Sequence, residues 1–158
     1  MSRSRFQFQP VDAAQTRVGI VGASYNPELA DALVASTRAS LTQRGVQEEN
    51  VEIVRVPGSF EVPVVASEMA RSGDFHAVIA LGVVVAGDTS HHELIGQTTA
   101  KALLDIAVLA RTPVINGILV VDTEEQAHDR ITGGQARGPE FAEAALHMAI
   151  LKHNWTQP

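Results

Sequence analysis

Residues 77–85 read AVIALGVVV, a run that is apolar at odd and even positions alike. A strand points alternate side chains to opposite faces, so such a run is satisfied only where both faces are covered. This makes it the central strand of a parallel sheet, and the rest of the chain must supply helices for both sides. Shorter β-branched runs occur at Arg17–Ala23 (RVGIVGA), Val51–Val56 (VEIVRV) and Val114–Val121 (VINGILVV). Segments of helical spacing separate them. Asn26 offers a cap and Pro27 a first helical position, Leu29, Leu33 and Leu41 follow on one face, and Gly45 is a stop. The pattern predicts a short helix from Pro63 to Arg71 closed by Gly73, and a long one from His91 to Ala110. Two overlapping capping boxes, Asp122 with Glu125 and Thr123 with Gln126, open a short helix to about Ile131. A last helix from Pro139 to about His153 carries Phe141, Ala145, Met148 and Lys152 on one stripe. Strands alternating with helices imply right-handed crossovers, hence an α/β fold around a four-stranded parallel sheet.

With 158 residues, 45% of them hydrophobic, the chain has material for one core. We expect a single domain over residues 17–158 preceded by an N-terminal arm over 1–16. A net charge of −6 and an aromatic content of 4% argue against nucleic acid as a partner, which calls for a basic face and stacking rings. The absence of cysteine excludes a disulfide framework and a thiolate nucleophile. Met1–Pro10 lacks the apolar run of a signal peptide, and no apolar stretch reaches ~18 residues. The expectation is a cytoplasmic protein without a membrane partner.

In parallel sheets, ligands sit beyond the carboxyl ends of the strands. Four segments lie there: Ser24–Pro27, Pro57–Glu61, Val84–His92 and the chain from Asp122. In the third, Gly87-Asp88-Thr89-Ser90-His91-His92-Glu93 joins the buried strand to a helix. Its amides and the Thr89 hydroxyl would face a ligand at a positive helix end, which suits phosphate, and His91 could move protons near neutral pH. The competing possibility is a plain capping turn with two solvated histidines. Adjacent histidines on one turn point apart and no third ligand has suitable spacing, so no metal is expected. Pro57-Gly58-Ser59-Phe60-Glu61 places a carboxylate and a ring at a strand end, although a turn with Phe60 in the core is the simpler expectation. Tyr25 and Asn26 could stack on and hydrogen-bond a flat ring, or serve only as a helix cap. Arg130 and Arg137 are candidate phosphate ligands, their guanidinium groups able to grip two oxygens, unless they are ordinary surface cations. The chain contains neither G-x-x-x-x-G-K-S/T nor a G-x-G-x-x-G after the first strand, which disfavours nucleotide hydrolysis and dinucleotide redox chemistry.

Taken in order, RVGIVGASYN, VPGSFEVP, ALGVVVAGDTSHHELI, TPVINGIL, DTEEQAHDR and the weaker RGPEFAEAAL resemble the lumazine synthase family over nearly the whole chain from about residue 17. The resemblance implies a flavodoxin-like three-layer α/β/α sandwich. It also implies condensation of a ribitylamino-pyrimidinedione with a four-carbon keto-phosphate in riboflavin biosynthesis, with no cofactor. Tyr25 would stack on the pyrimidinedione, beside Asn26. Ser59, Phe60 and Glu61 would line the ring and ribityl chain, with Glu61 accepting ribityl hydroxyls. Val83, Val84 and Val85 would meet the heterocycle, Asp88 and Thr89 would bind phosphate, and His91 would transfer protons. Asn116 and Arg130 would reach in from a neighbouring subunit, Arg130 to the phosphate. The family's assembly is a homo-oligomer built from pentamers with shared sites, and riboflavin synthase is a candidate partner. The Phe6-Gln7-Phe8 alternation suits an arm that adds to an adjacent subunit's sheet.

The chain departs from the family pattern in places. Ala86 stands where many relatives have arginine, His92 replaces a common aromatic, and Asn116 stands where several have phenylalanine. The familiar late lysine has no clean match, Arg137 lying one residue early. Two alternatives stay open: a non-catalytic shell or flavin-binding member of the fold, and a flavodoxin-like electron carrier. Against the second, Ser24-Tyr25-Asn26-Pro27 is short and stiff for a phosphate loop.

Overall fold

The computed structural model describes residues 12–156, so the N-terminal arm's Phe6 and Phe8 lie outside the described residues. Four strands, β1 (Val18–Ala23), β2 (Val51–Val56), β3 (Ala77–Val85) and β4 (Val114–Val121), form one sheet in the order β2-β1-β3-β4. All three pairings are parallel, with Val18 opposite Val51 and Ala77, and Val78 opposite Val114. Five helices connect and follow the strands: α1 (Pro27–Gln43), α2 (Val62–Ser72), α3 (His91–Ala110), α4 (Glu124–Ile131) and α5 (Gly138–Thr156). A short 3-10 turn at Glu48–Asn50, which has no periodicity to betray it, precedes β2. Among the described residues no helix is long and apolar enough to cross a membrane.

β3 shows why its sequence is apolar on both sides. Ala77, Ile79, Leu81 and Val83 pack with Leu33, Leu41, Ile131, Phe141, Ala145 and Leu146, which come from α1, α4 and α5. Val78 and Ala80 pack with Val62, Ala66, Met69 and Leu103 from α2 and α3. The expected three-layer α/β/α sandwich is therefore present, and its two cores meet through β1 and β3. Gly45 (φ 98°) and Gly73 (φ 83°) take left-handed backbone just past α1 and α2, as helix-stopping glycines do.

Two local expectations are corrected. The buried seam of α5 runs through Phe141, Ala142, Ala145, Leu146 and Ala149, whereas Met148 and Lys152 drift off it and line a surface groove with Trp155. At 100° per residue, residues 141, 145, 148 and 152 stay within about 60° of one another, but the buried positions centre between Ala145 and Ala149, which leaves Met148 and Lys152 at the seam's edge. At α4, Thr123 Oγ1 accepts the Gln126 N–H at 3.2 Å, but Gln126 Oε1 accepts from Asp122 N (3.0 Å) rather than from Thr123. One box is made with its return bond moved by a residue.

The strand order places the site. The chain leaves β1 outward to β2, then returns past it to β3, so the direction of winding reverses between β1 and β3. Loops leaving those strands diverge to opposite faces and open a crevice at their carboxyl ends.

Candidate functional site at the carboxyl ends of the strands

A cleft of about 620 Å³ lies at that crevice. Tyr25 and Asn26 enter it from the turn after β1, Ser59, Phe60 and Glu61 from the turn after β2, and Val83, Val84 and Val85 from the end of β3. Thr89 and His91 come from the β3–α3 loop and the first turn of α3. Stretches far apart in sequence thus line one hollow.

The turn after β1 is braced from both sides. Ser24 N donates to Val56 O (2.8 Å) and Tyr25 N to Pro57 O (3.0 Å), which tie it to the end of β2. The Arg55 guanidinium donates to Ala23 O (2.9 Å) while pairing with Asp31 (2.7 Å). Asn26 begins α1 with left-handed backbone (φ 55°, ψ 64°), and its side chain makes no cap bond. Its Nδ2 donates instead to Val83 O on β3 at 2.9 Å. The expected Asn26 cap is therefore not made, because the left-handed backbone aims the amide across the crevice rather than along the helix.

Phe60 is 59% exposed and Tyr25 74% exposed. Phe60 is accordingly not a core residue, and both rings present flat apolar faces at the cleft, an arrangement that suits a planar ligand. Ser59, next to Phe60 in the same turn, is buried (7% exposed) against Gly82.

At the start of α3, Ser90 occupies the cap position without a side-chain cap bond. Its carbonyl accepts from Glu93 N (3.1 Å) and Leu94 N (3.3 Å). The His91 N–H reaches Thr89 Oγ1 at 3.4 Å, a long contact, and His92 Nδ1 lies 3.0 Å from Thr89 O. The hydroxyl of Thr89 and the amino-terminal end of a twenty-residue helix thus face the cleft beside the His91 imidazole. Such an end attracts anions through its free amides and its dipole.

Four candidates lie outside this cleft. Asp88 is exposed on the adjoining loop. Asn116 is exposed on the edge strand β4, opposite Ala80, where its Oδ1 accepts from Ile118 N at 3.1 Å. Arg130 on α4 donates to Gln126 O at 3.1 Å. Arg137 pairs with Glu140 at 3.0 Å and stacks its guanidinium 5.9 Å from the Phe141 ring centre, while its N–H bonds Arg130 O at 2.8 Å. Arg137 is thereby held as part of the α4–α5 junction.

Ile95 and Glu124 also line the cleft and were not singled out from the sequence. Ile95 could have been found, since it lies four residues after His91 and so shares its helix face. Glu124 gave no signal beyond its place in a capping segment. Among the described residues no cluster of three His, Asp or Glu side chains could hold a metal ion.

Comparison with known proteins bears on the same residues. The family model for 6,7-dimethyl-8-ribityllumazine synthase matches residues 15–153. The chain is 39% identical over 136 residues to the 6,7-dimethyl-8-ribityllumazine synthase of Xanthomonas oryzae pv. oryzae (strain PXO99A), covering 85% of this chain and 88% of that protein. It is 40% identical over 139 residues to the protein of the same name from Xylella fastidiosa (strain M12), covering 87% and 90%. The family match spans every strand and every residue that lines the cleft. The chain belongs to the 6,7-dimethyl-8-ribityllumazine synthase family.

Proposed function

We propose that the cleft condenses 5-amino-6-(D-ribitylamino)uracil with 3,4-dihydroxy-2-butanone 4-phosphate, giving 6,7-dimethyl-8-ribityllumazine, inorganic phosphate and water. The observation that carries this is the convergence of Tyr25, Phe60, Glu61, Thr89 and His91 on one hollow in a chain of this family. The exposed Tyr25 and Phe60 rings supply a platform for the pyrimidinedione. Glu61 accepts hydrogen bonds from ribityl hydroxyls. The phosphate sits at the start of α3, against Thr89 and the amides from Gly87 to Asp88.

The ring amine attacks the ketone and water leaves to give an imine. Phosphate departs, the ribitylamino nitrogen closes the second ring, and a further water is lost. His91, beside the phosphate end, transfers protons in these steps, a role typically worth ~10²–10⁴ in rate. Holding two substrates in register supplies much of the remainder.

Asn116 and Arg130 belong to the same proposal as residues of a neighbouring subunit. Their places outside their own chain's cleft favour it, as does the apolar surface flanking β4. Leu94, Leu104, Val108 and Leu109 of α3 are 56–83% exposed, and Val120 of β4 is 42% exposed. Such a patch suits burial against another copy in a pentamer-based assembly. A turnover assay with both substrates, following lumazine fluorescence and released phosphate, tests the reaction. One-to-one formation supports it, and no product from folded, oligomeric protein would sink it.

A further inference from the structure

The two strands that border the cleft end at different heights. β1 pairs with β3 as far as Gly22 opposite Leu81, and the chain turns away after Ala23. β3 continues to Val85, paired with β4 along its other edge up to Val85 opposite Val121. Peptide groups of a parallel strand alternate between its two neighbours. Val78 N donates to Pro113 O and Ala86 N to Val121 O, so even-numbered residues of β3 face β4. Val83 and Val85 therefore face the side on which β1 has already ended.

That is the side from which Asn26 donates to Val83 O. The Asn26 amide takes the place of the next rung of the missing strand, and it joins residues fifty-seven positions apart. Its backbone makes this bond from the left-handed region, which asparagine tolerates better than most other side-chain-bearing residues. Two residues beyond that rung, the Val85 N–H and C=O stand at the open edge, at the height of the cleft.

We infer that Asn26 is a positioning residue: by anchoring the Val83 carbonyl it fixes the end of β3, so that the Val85 peptide groups present one donor and one acceptor to the edge of the pyrimidinedione. The inference rests on the reaction proposed above. It assigns the Asn26 amide to the protein rather than to the ligand.

Three proteins test it in one assay with both substrates. Asn26→Gly keeps the left-handed backbone and removes the amide. Asn26→Asp keeps shape and backbone but sets an acceptor against the Val83 carbonyl, and only its protonated form can donate. Wild-type turnover establishes the reaction, and its absence would overturn the functional proposal itself. With wild-type turnover in hand, both variants are expected to raise KM for the pyrimidinedione about five- to tenfold, the loss of roughly one hydrogen bond's ordering. KM for the keto-phosphate should change less than twofold, because its anion site lies on α3. The kcat/KM of Asn26→Asp relative to wild type should climb as pH falls toward ~5, where the aspartic acid begins to regain a proton. Equal rises in both KM values would overturn the positioning role. So would wild-type KM values in Asn26→Gly, or a pH-independent ratio for Asn26→Asp.

Discussion

Ser59 seats its hydroxyl over the bare Cα of Gly82, so the turn after β2 rests directly on the backbone of β3. A Cβ at Gly82 would overlap Ser59 Oγ and approach Ser59 Cβ at 3.3 Å and Ala23 Cβ at 3.4 Å. Rotation about χ1 can carry the Ser59 hydroxyl aside, but its Cβ must still give by a few tenths of an ångström, which shifts the turn carrying Phe60 and Glu61. Gly82→Ala should cost about 1–3 kcal/mol, as overpacked cores do, and raise KM for the pyrimidinedione. Thermal unfolding and steady-state kinetics measure both. A variant with unchanged melting temperature and KM would show that the turn can relax.

The proposed sharing of sites between subunits predicts complementation. His91→Ala should lower kcat by ~10²–10⁴ and Arg130→Ala should raise KM for the keto-phosphate. Co-expressed in equal amounts, the two variants should form mixed assemblies in which about a quarter of the sites combine an intact His91 with a neighbour's intact Arg130. Activity no higher than the sum of the separate variants would place both residues in one chain's site.

The cap of α4 predicts a pH-dependent effect. The Glu125 carboxyl is held below its ordinary value of 4.5 by a hydrogen bond from its own backbone N–H and then by one from the Thr123 hydroxyl. A depressed carboxyl pKa contributes stability above the unfolded value that is lost as pH falls through the folded one. Thr123→Ala should cost about 0.5–2 kcal/mol at neutral pH through the lost cap on Gln126 N, and less in acid. Denaturant unfolding at pH 7 and between pH 5 and 3 resolves this; a loss of the same size throughout would rule out the carboxyl's share.

Lys152 predicts the opposite end of the scale. Desolvation holds its ammonium pKa below the ordinary 10.5, and Nζ donates to Thr112 Oγ1 at 3.0 Å beside an apolar groove of about 440 Å³. Between the folded and unfolded pKa values the unfolded chain binds more protons, so stability rises with pH there. Lys152→Met should remove this rise on approaching pH 10.5 while leaving stability at pH 7 within ~1 kcal/mol of wild type. A rise that persisted in the variant would assign it to another group.

The sequence by itself determined the elements, their order and the loops that carry chemistry. The doubly apolar Ala77–Val85 specified a covered central strand, and Gly45 and Gly73 ended helices where left-handed backbone was needed. These are local properties, set by periodicity and by allowed backbone angles. PGSFE and GDTSHH were likewise placed at strand ends, and Ser59, Glu61, Thr89 and His91 do line one cleft. Only the tertiary structure decided that Phe60 faces out, that the α5 seam runs through Ala149 rather than Met148, and that Asn26 bonds Val83 instead of capping its helix. Each of these depends on which surfaces meet across the sheet, and a contact between residues fifty-seven positions apart leaves no trace in the spacing of either segment.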